Sequence, residues 1–172
     1  EKGKQYIHFA VDGALRMRKI ILDILEYAKI GKNTDNEKEN IDMKVIINDI
    51  WRINKKKVEE TKATLKCTDM PILNSYKTPV MQIFHNLIGN ALKYKNPNTK
   101  PIVNINVKDE SKYWLFSVQD NGIGIQKEFQ QKIFEIFQRL HTKNEFSGTG
   151  IGLAIVKKQI ENLGGKIWVE SE

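Results

Sequence analysis

Apolar side chains recur at alternating steps of three and four along the first thirty residues: Ile7, Ala10, Ala14, Met17, Ile21, Ile24 and Ala28. That rhythm predicts one long helix over residues 4–30, with a seam suited to a coiled coil or bundle. Val11, Leu22 and Leu25 widen the stripe, so the helix is expected to need more than one partner, and the partner helix is expected outside this chain. Gly31 ends the pattern, and the polar run from Lys32 to Asn40 reads as a linker.

Beyond Asn40 the period changes. Ile41 to Met43 reads as a short strand, and residues 44–60 as a helix with Val45, Ile46, Ile50, Ile53 and Lys57 along its inner face and edge. Lys62–Cys67 and Ile72–Asn74 read as strands. Thr78 and Pro79 supply an N-cap and a first-turn proline for a helix running to about Lys95. Pro101–Lys108 and Lys112–Asp120 alternate as strands joined at Asp109-Glu110, a hairpin. Residues 126–134 and 149–163 read as helices, 135–148 as mostly loop, and 165–170 as a final strand. This mixed order predicts an α/β two-layer sandwich, a mixed sheet with helices on one face, preceded by a long bundle helix. The expected organisation is a helix at 1–31, a linker at 32–40 and a globular domain at 41–172.

Composition narrows the class. A hydrophobic share of 40% over 172 residues is enough for one buried core. No apolar run reaches the ~18–20 residues of a membrane span, and the first residues lack the apolar stretch of a signal peptide. The lone Cys67 allows no internal disulfide, reads as a core thiol and suits a reducing cytoplasm. The net charge of +7 invites a nucleic-acid partner. Its basic residues are scattered, however, and not interleaved with aromatics as a stacking platform requires. A solvated surface with one polyphosphate site explains the charge, and neither nucleic-acid nor membrane contact is expected of this segment.

The chemistry concentrates between positions 86 and 153. On the helix opened by Pro79, Asn86, Asn90 and Lys93 fall within about 60° of one another, opposite Phe84, Leu87, Ile88 and Ala91. Such a stripe is either a solvated face or a ligand surface, with Asn90 offering an amide oxygen to Mg²⁺ and Lys93 meeting a phosphate. Asp120 ends a strand, where ligands bind in α/β folds, and its carboxylate suits the exocyclic amine of adenine. Buried there, it would reject guanine. Gly122 and Gly124 leave room for a ring against the backbone. Gly148, Gly150 and Gly152 open the next helix, whose free amides and positive dipole end suit phosphates. The polar loop Thr142 to Gly148 is placed to close as a lid over the phosphates, with Arg139 before it and Lys143 within it as phosphate contacts. Taken singly, Asp120-Asn121-Gly122 is also a hairpin turn and the glycine cluster a tight connection. In this order, behind the Asn86–Lys93 stripe, they describe a nucleotide site. It is neither a P-loop nor a dinucleotide fingerprint, and protein-kinase landmarks are absent.

These residues resemble the motifs of sensor histidine kinases. Asn86 to Tyr94 is similar to their N box, Asp120 to Ile125 to the first glycine box, Phe134 to Arg139 to the F box, and Gly148 to Leu153 to the second glycine box. The resemblance covers residues 1–172, and the segments 137–142 and 164–172 look most like the phytochrome-type and multi-sensor branch. It implies the Bergerat ATP-binding fold, with ATP and Mg²⁺ as ligands. By this resemblance Asp120 binds adenine, Tyr94 packs at the base and Asn90 holds Mg²⁺. Lys93, Gly122, Gly124, Ile125, Phe137, Lys143, Gly148, Thr149, Gly150, Gly152 and Leu153 surround the nucleotide, while Asn86, Lys93 and Arg139 serve catalysis. It also implies an ATP-dependent protein-histidine kinase, cytoplasmic, with a response regulator receiver domain as partner and a homodimer formed through the bundle helix of the full-length protein.

Position 86 discriminates within the superfamily. Hydrolytic members carry a glutamate four residues before the Mg²⁺ asparagine; Asn86 cannot act as that general base, which favours transfer over hydrolysis. Two features depart from the family pattern. None of His8, His85 and His141 heads a His-Asp/Glu-x-Arg/Lys-x-Pro signature, so residues 4–30 resemble the second helix of the dimerisation hairpin and the acceptor histidine is expected elsewhere. The sequence also stops at Glu172, before the usual last strand, which leaves a sheet edge expected to be unpaired. A degenerate nucleotide-binding or interaction module and a hydrolysing clamp-type ATPase remain as alternatives.

Overall fold

The structure, a computed structural model, describes residues 2–31, 37–140, 146 and 148–171. The chain forms two compact units: Glu1–Thr34 with Glu128–Val169, and Asp35–Lys127 with Glu170–Glu172.

The first unit is built on two helices, α1 (Lys2–Lys29) and α5 (Gly152–Asn162). Ile30, just past α1, is buried with Ile151 and Ile155, and Ile20 and Tyr27 pack against them. The expected seam lies on another face: Ile7, Met17, Ile21 and Ile24 stay exposed, Ile21 at 57%. The stripe on α1 is wide enough for two faces, and the spacing alone does not say which one meets the rest of its own chain. α5 begins at Gly152 rather than at 149. Gly150 adopts φ +78, a left-handed conformation that a right-handed helix cannot include. The expected helix at 126–134 is replaced by two 3₁₀ turns, Lys127–Phe129 and Lys132–Phe134. Only Ile133 of those turns is buried, so little packing offsets the cost of nucleating so short a helix. Residues 165–170 form no strand. Their alternation survives, with Ile167 and Val169 half-buried between exposed neighbours. Alternation selects a face, but a strand also needs a paired backbone.

In the second unit, β1 (Glu39–Asp42) pairs antiparallel with β3 (Ile72–Ser75). A separate three-stranded sheet has the order β2 (Thr64–Cys67), β4 (Ile102–Asp109), β5 (Trp114–Asp120). It is mixed as expected, with β2–β4 parallel and β4–β5 the antiparallel hairpin, although the strands divide into two sheets. The helices α2 (Met43–Ile53) and α4 (Lys77–Lys93) pack on each other, and α4 lies on β4 and β5. Between the layers Met43, Ile47, Ile50, Ile88, Val103 and Ile105 are fully buried, and Phe84 meets Phe116 edge-on at 5.4 Å.

Capping sets the phase of α2. The Asp42 carboxylate accepts from the Lys44 and Val45 amides at 2.8 and 3.3 Å, which starts the helix at Met43 and turns Met43, Ile46, Ile47 and Ile50 inward. Val45 and Ile53, expected inside, are exposed; Ile53 is 64% accessible. The helix expected over 44–60 is interrupted at Asn54, whose side-chain amide returns to the Ile50 carbonyl at 2.9 Å, and α3 (Lys55–Thr61) continues separately. α4 starts at Lys77 with Tyr76 as its N-cap, not Thr78, so Pro79 is the third helical residue. Its missing amide hydrogen still falls among those an α-helix leaves unused. Cys67 is exposed at the end of β2 rather than in the core.

Candidate functional site

One group of expected site residues comes together where α4 ends beside the loop after β5. The hairpin register places Asp120 opposite Val103, at the end of the sheet. Asn121 then bridges the strand ends. Its side-chain oxygen accepts the Ile102 amide hydrogen at 2.7 Å, and its nitrogen donates to the Lys100 carbonyl at 3.0 Å. The backbone turns so that Gly122 N–H donates to Asp120 Oδ1 at 2.8 Å and Ile123 N–H donates to the Tyr94 carbonyl at 3.0 Å. A side chain at 122 would collide with that same Tyr94 carbonyl and with Asp120 Oδ1, so close packing within the protein already requires glycine there. Asp120 is thus oriented by an amide, but it is exposed, where the sequence argument wanted a buried carboxylate. Its position at the strand tip leaves the carboxylate open to solvent and to a ligand. Gly124 is left-handed at φ +71, and the Ile125 amide donates to the Ser171 hydroxyl at 2.8 Å.

On α4 the two sides separate, with one exception. Phe84, Ile88 and Ala91 are buried, while Asn86, Asn90 and Lys93 are half-buried on the other side, and Leu87, expected with the buried group, is half-buried as well. Asn86 donates to the Gln82 carbonyl at 3.0 Å, one turn back. Lys93 Nζ donates to the Tyr94 hydroxyl at 2.7 Å and lies 4.2 Å from the centre of its ring. This pairing was not legible in the sequence, because neighbours along a helix do not ordinarily face one another. It arises because Tyr94 is the C-cap, where the helical path ends.

The other group belongs to the first unit. Gly150 is closely packed too, though less so than Gly122: a Cβ would lie 2.8 Å from the Gln138 carbonyl oxygen and 3.0 Å from Arg139 Cγ. The second glycine box therefore rests against the F-box segment. Phe137 is exposed at φ +66 and lines an apolar hollow of about 140 Å³ with Ile24, Tyr27, Ile136 and Ile151. Arg139 donates to the Phe146 carbonyl at 2.9 Å. Thr149 Oγ1 donates to Asp23 of α1 and accepts the Ile151 amide hydrogen at 3.4 Å. Gly148 precedes this turn, and Gly152 and Leu153 open α5. Lys143 lies outside the described residues.

The donor set bears on the metal. Among the described residues no cluster of three or more His, Cys, Asp or Glu side chains could hold an ion alone. Asn90 offers one neutral oxygen, which fits a Mg²⁺ that arrives on a polyphosphate and keeps its waters. Among the described residues no helix is long and apolar enough to cross a membrane.

Comparison with known proteins agrees with the motifs. The family described as histidine kinase-, DNA gyrase B-, and HSP90-like ATPase matches residues 76–172, more than half of the chain. Over 99% of its length the chain is similar to the phytochrome-like protein Cph1 of Synechocystis sp., at 40% identity, and spans 23% of that protein. It is 33% identical to the sensor protein kinase WalK of Staphylococcus aureus, again over 99% of the chain and 29% of the relative. The chain thus spans about a quarter of these relatives. The solved structure of the histidine kinase ThkA in complex with the response regulator protein TrrA shares the fold, with a TM-score of 0.74 at 24% identity over 100% of this chain and 48% of that one. The chain belongs to the histidine kinase-, DNA gyrase B- and HSP90-like ATPase family, and within it is similar to sensor histidine kinases.

Proposed function

We propose that this chain is the catalytic ATP-binding part of a sensor histidine kinase, which binds Mg·ATP and passes the γ-phosphoryl group to a histidine outside residues 1–172. The observation that carries this reading is the Asp120 carboxylate, held by the Gly122 amide at 2.8 Å in a loop pinned to α4 through the Tyr94 carbonyl. An acceptor fixed this way suits the exocyclic amine of adenine, with Tyr94 and Ile125 beside the base and Gly122 and Gly124 shaping the loop. Asn90 is assigned to Mg²⁺, which would offset the charge of the phosphates, and Lys93 to a phosphate once its amine leaves Tyr94. Gly148, Thr149, Gly150, Gly152 and Leu153, before and within the first turn of α5, are assigned to phosphate oxygens together with Arg139 and Lys143, and Phe137 to the nucleotide through apolar contact.

In the transfer, an imidazole nitrogen uses its lone pair to bond the γ-phosphorus. The bond to the β–γ bridging oxygen breaks, ADP departs, and the proton of the other ring nitrogen passes to solvent. Asn86 supports transfer over hydrolysis, since an amide already donating to the Gln82 carbonyl does not take a proton from water. A response regulator as the next acceptor is supported by the ThkA–TrrA complex, and a homodimer through α1 by that helix's exposed apolar face. The organisation proposed is a bundle helix at 1–31, a linker at 32–40 and the catalytic domain at 41–172.

Calorimetric titration with Mg·ATP tests the site. Asp120→Asn reverses the hydrogen-bonding character offered to adenine, and binding is expected to weaken by at least tenfold with the circular dichroism unchanged. Wild-type affinity in Asp120→Asn would sink the assignment.

A further inference from the structure

A polar contact between residues 126 apart in sequence joins the long helix α1 to the second glycine box: Thr149 Oγ1 donates to Asp23 Oδ2. We propose that Asp23 gates the phosphate loop, its carboxylate holding the loop's threonine until an incoming polyphosphate displaces it. This rests on the assignment of Gly148–Leu153 to phosphate oxygens made above.

A threonine hydroxyl has one hydrogen, and here Asp23 takes it, while the oxygen accepts the Ile151 amide hydrogen that precedes α5. Two donors that a phosphate would use at this turn, the Thr149 hydroxyl and the Ile151 amide, are therefore engaged with a carboxylate and with one another. Through Thr149 the carboxylate is held at the turn that leads into α5, whose positive end favours negative charge nearby. A phosphate arriving at the same turn meets a like charge and must break this contact. The two lysines of α5 are engaged elsewhere: Lys158 donates to the Tyr27 carbonyl at 2.9 Å and stacks on the Tyr27 ring at 4.1 Å, and Lys157 pairs with Glu161 at 3.9 Å. Glu26, one turn from Asp23, adds negative charge, and its carboxyl is pushed above the usual range by burial and by Asp23.

The contact depends on the seating of α1. Ile20, Asp23, Tyr27 and Ile30 follow one another at steps of three and four, so one face of the helix carries both the apolar contacts to Ile151 and Ile155 and the carboxylate. Rotation of α1 by one residue takes Asp23 off Thr149, which gives movement of the helix a direct route to phosphate affinity.

The test is calorimetry on the whole chain with Mg·ATP and with adenosine as the phosphate-free probe. Asp23→Asn keeps the side chain's shape and removes its charge; Asp23→Ala removes the contact. Both are expected to tighten Mg·ATP by roughly three- to tenfold, the scale of a half-exposed charge-assisted hydrogen bond, and to leave adenosine unchanged. Unchanged or weaker Mg·ATP binding in Asp23→Asn overturns the gate, as does equal tightening of adenosine. If wild type and variants alike fail to bind Mg·ATP, the nucleotide assignment itself falls and the gate with it. Equal Mg·ATP affinity across all three sinks the gate alone.

Discussion

A methyl group added at position 122 has nowhere to go, because the Tyr94 carbonyl oxygen already occupies its place. Gly89, in the middle of α4, has open space at the same position. The two glycines should therefore respond with opposite signs. Gly89→Ala removes a helix-interior glycine and is expected to stabilise by about 0.5–1 kcal/mol. Gly122→Ala forces backbone apart and should cost about 1–3 kcal/mol, and it should weaken Mg·ATP because the loop holding Asp120 moves. Denaturant melts of both variants check this, and a melt unchanged by Gly122→Ala would mean the loop is not fixed through Tyr94. At this scale the strand-end position of Asp120 and the shared side of Asn86, Asn90 and Lys93 on α4 were legible, since each follows from local spacing, whereas the exposure of Asp120 was not. Nor was Asn121: its backbone partners lie 19 and 21 residues away, at distances no local spacing encodes.

Elements were legible wherever their phase depended on their own sequence. The β4–β5 hairpin and the length of α1 follow from alternation and from three–four spacing. What α1 packs against did not follow, because its apolar stripe serves more than one face and the polar Asp23 belongs to the buried one. The phase of α2 was missed for a related reason: its cap, Asp42, lies outside the apolar pattern that suggested Val45 as a core residue. The same face of α1 carries a pH signature. Burial, and then the charge of Asp23, raise the pKa of Glu26 in the folded chain. A group raised on folding contributes stability while protonated, and that contribution is lost as pH rises through its folded value. Glu26→Gln removes the charge and the penalty together. The variant should be more stable than wild type at about pH 7 and should lose that advantage near pH 4, where the carboxyl is protonated in both states. Equal differences in unfolding midpoint at the two pH values would contradict the raised value.

At the scale of the whole molecule, α1 leaves a broad apolar face exposed, with Ile7, Val11, Leu15, Met17, Ile21 and Leu25 on it. Family membership was readable because four short motifs keep their order, and each is a local sequence. The division into two compact units was not, since it depends on α1 folding back onto α5 rather than on any composition change along the chain. The central claim is that this domain gives its phosphate away to a histidine it does not carry. The most direct measurement supplies Mg²⁺ and ATP labelled in the γ-phosphate together with a separate helix hairpin bearing a His-Asp/Glu-x-Arg/Lys-x-Pro signature. Acid-labile label is expected on the hairpin histidine, none on His8, His85 or His141 of this chain, and transfer is expected to be lost in Asp120→Asn. Label released only as inorganic phosphate, at a rate the hairpin does not change, would contradict the claim.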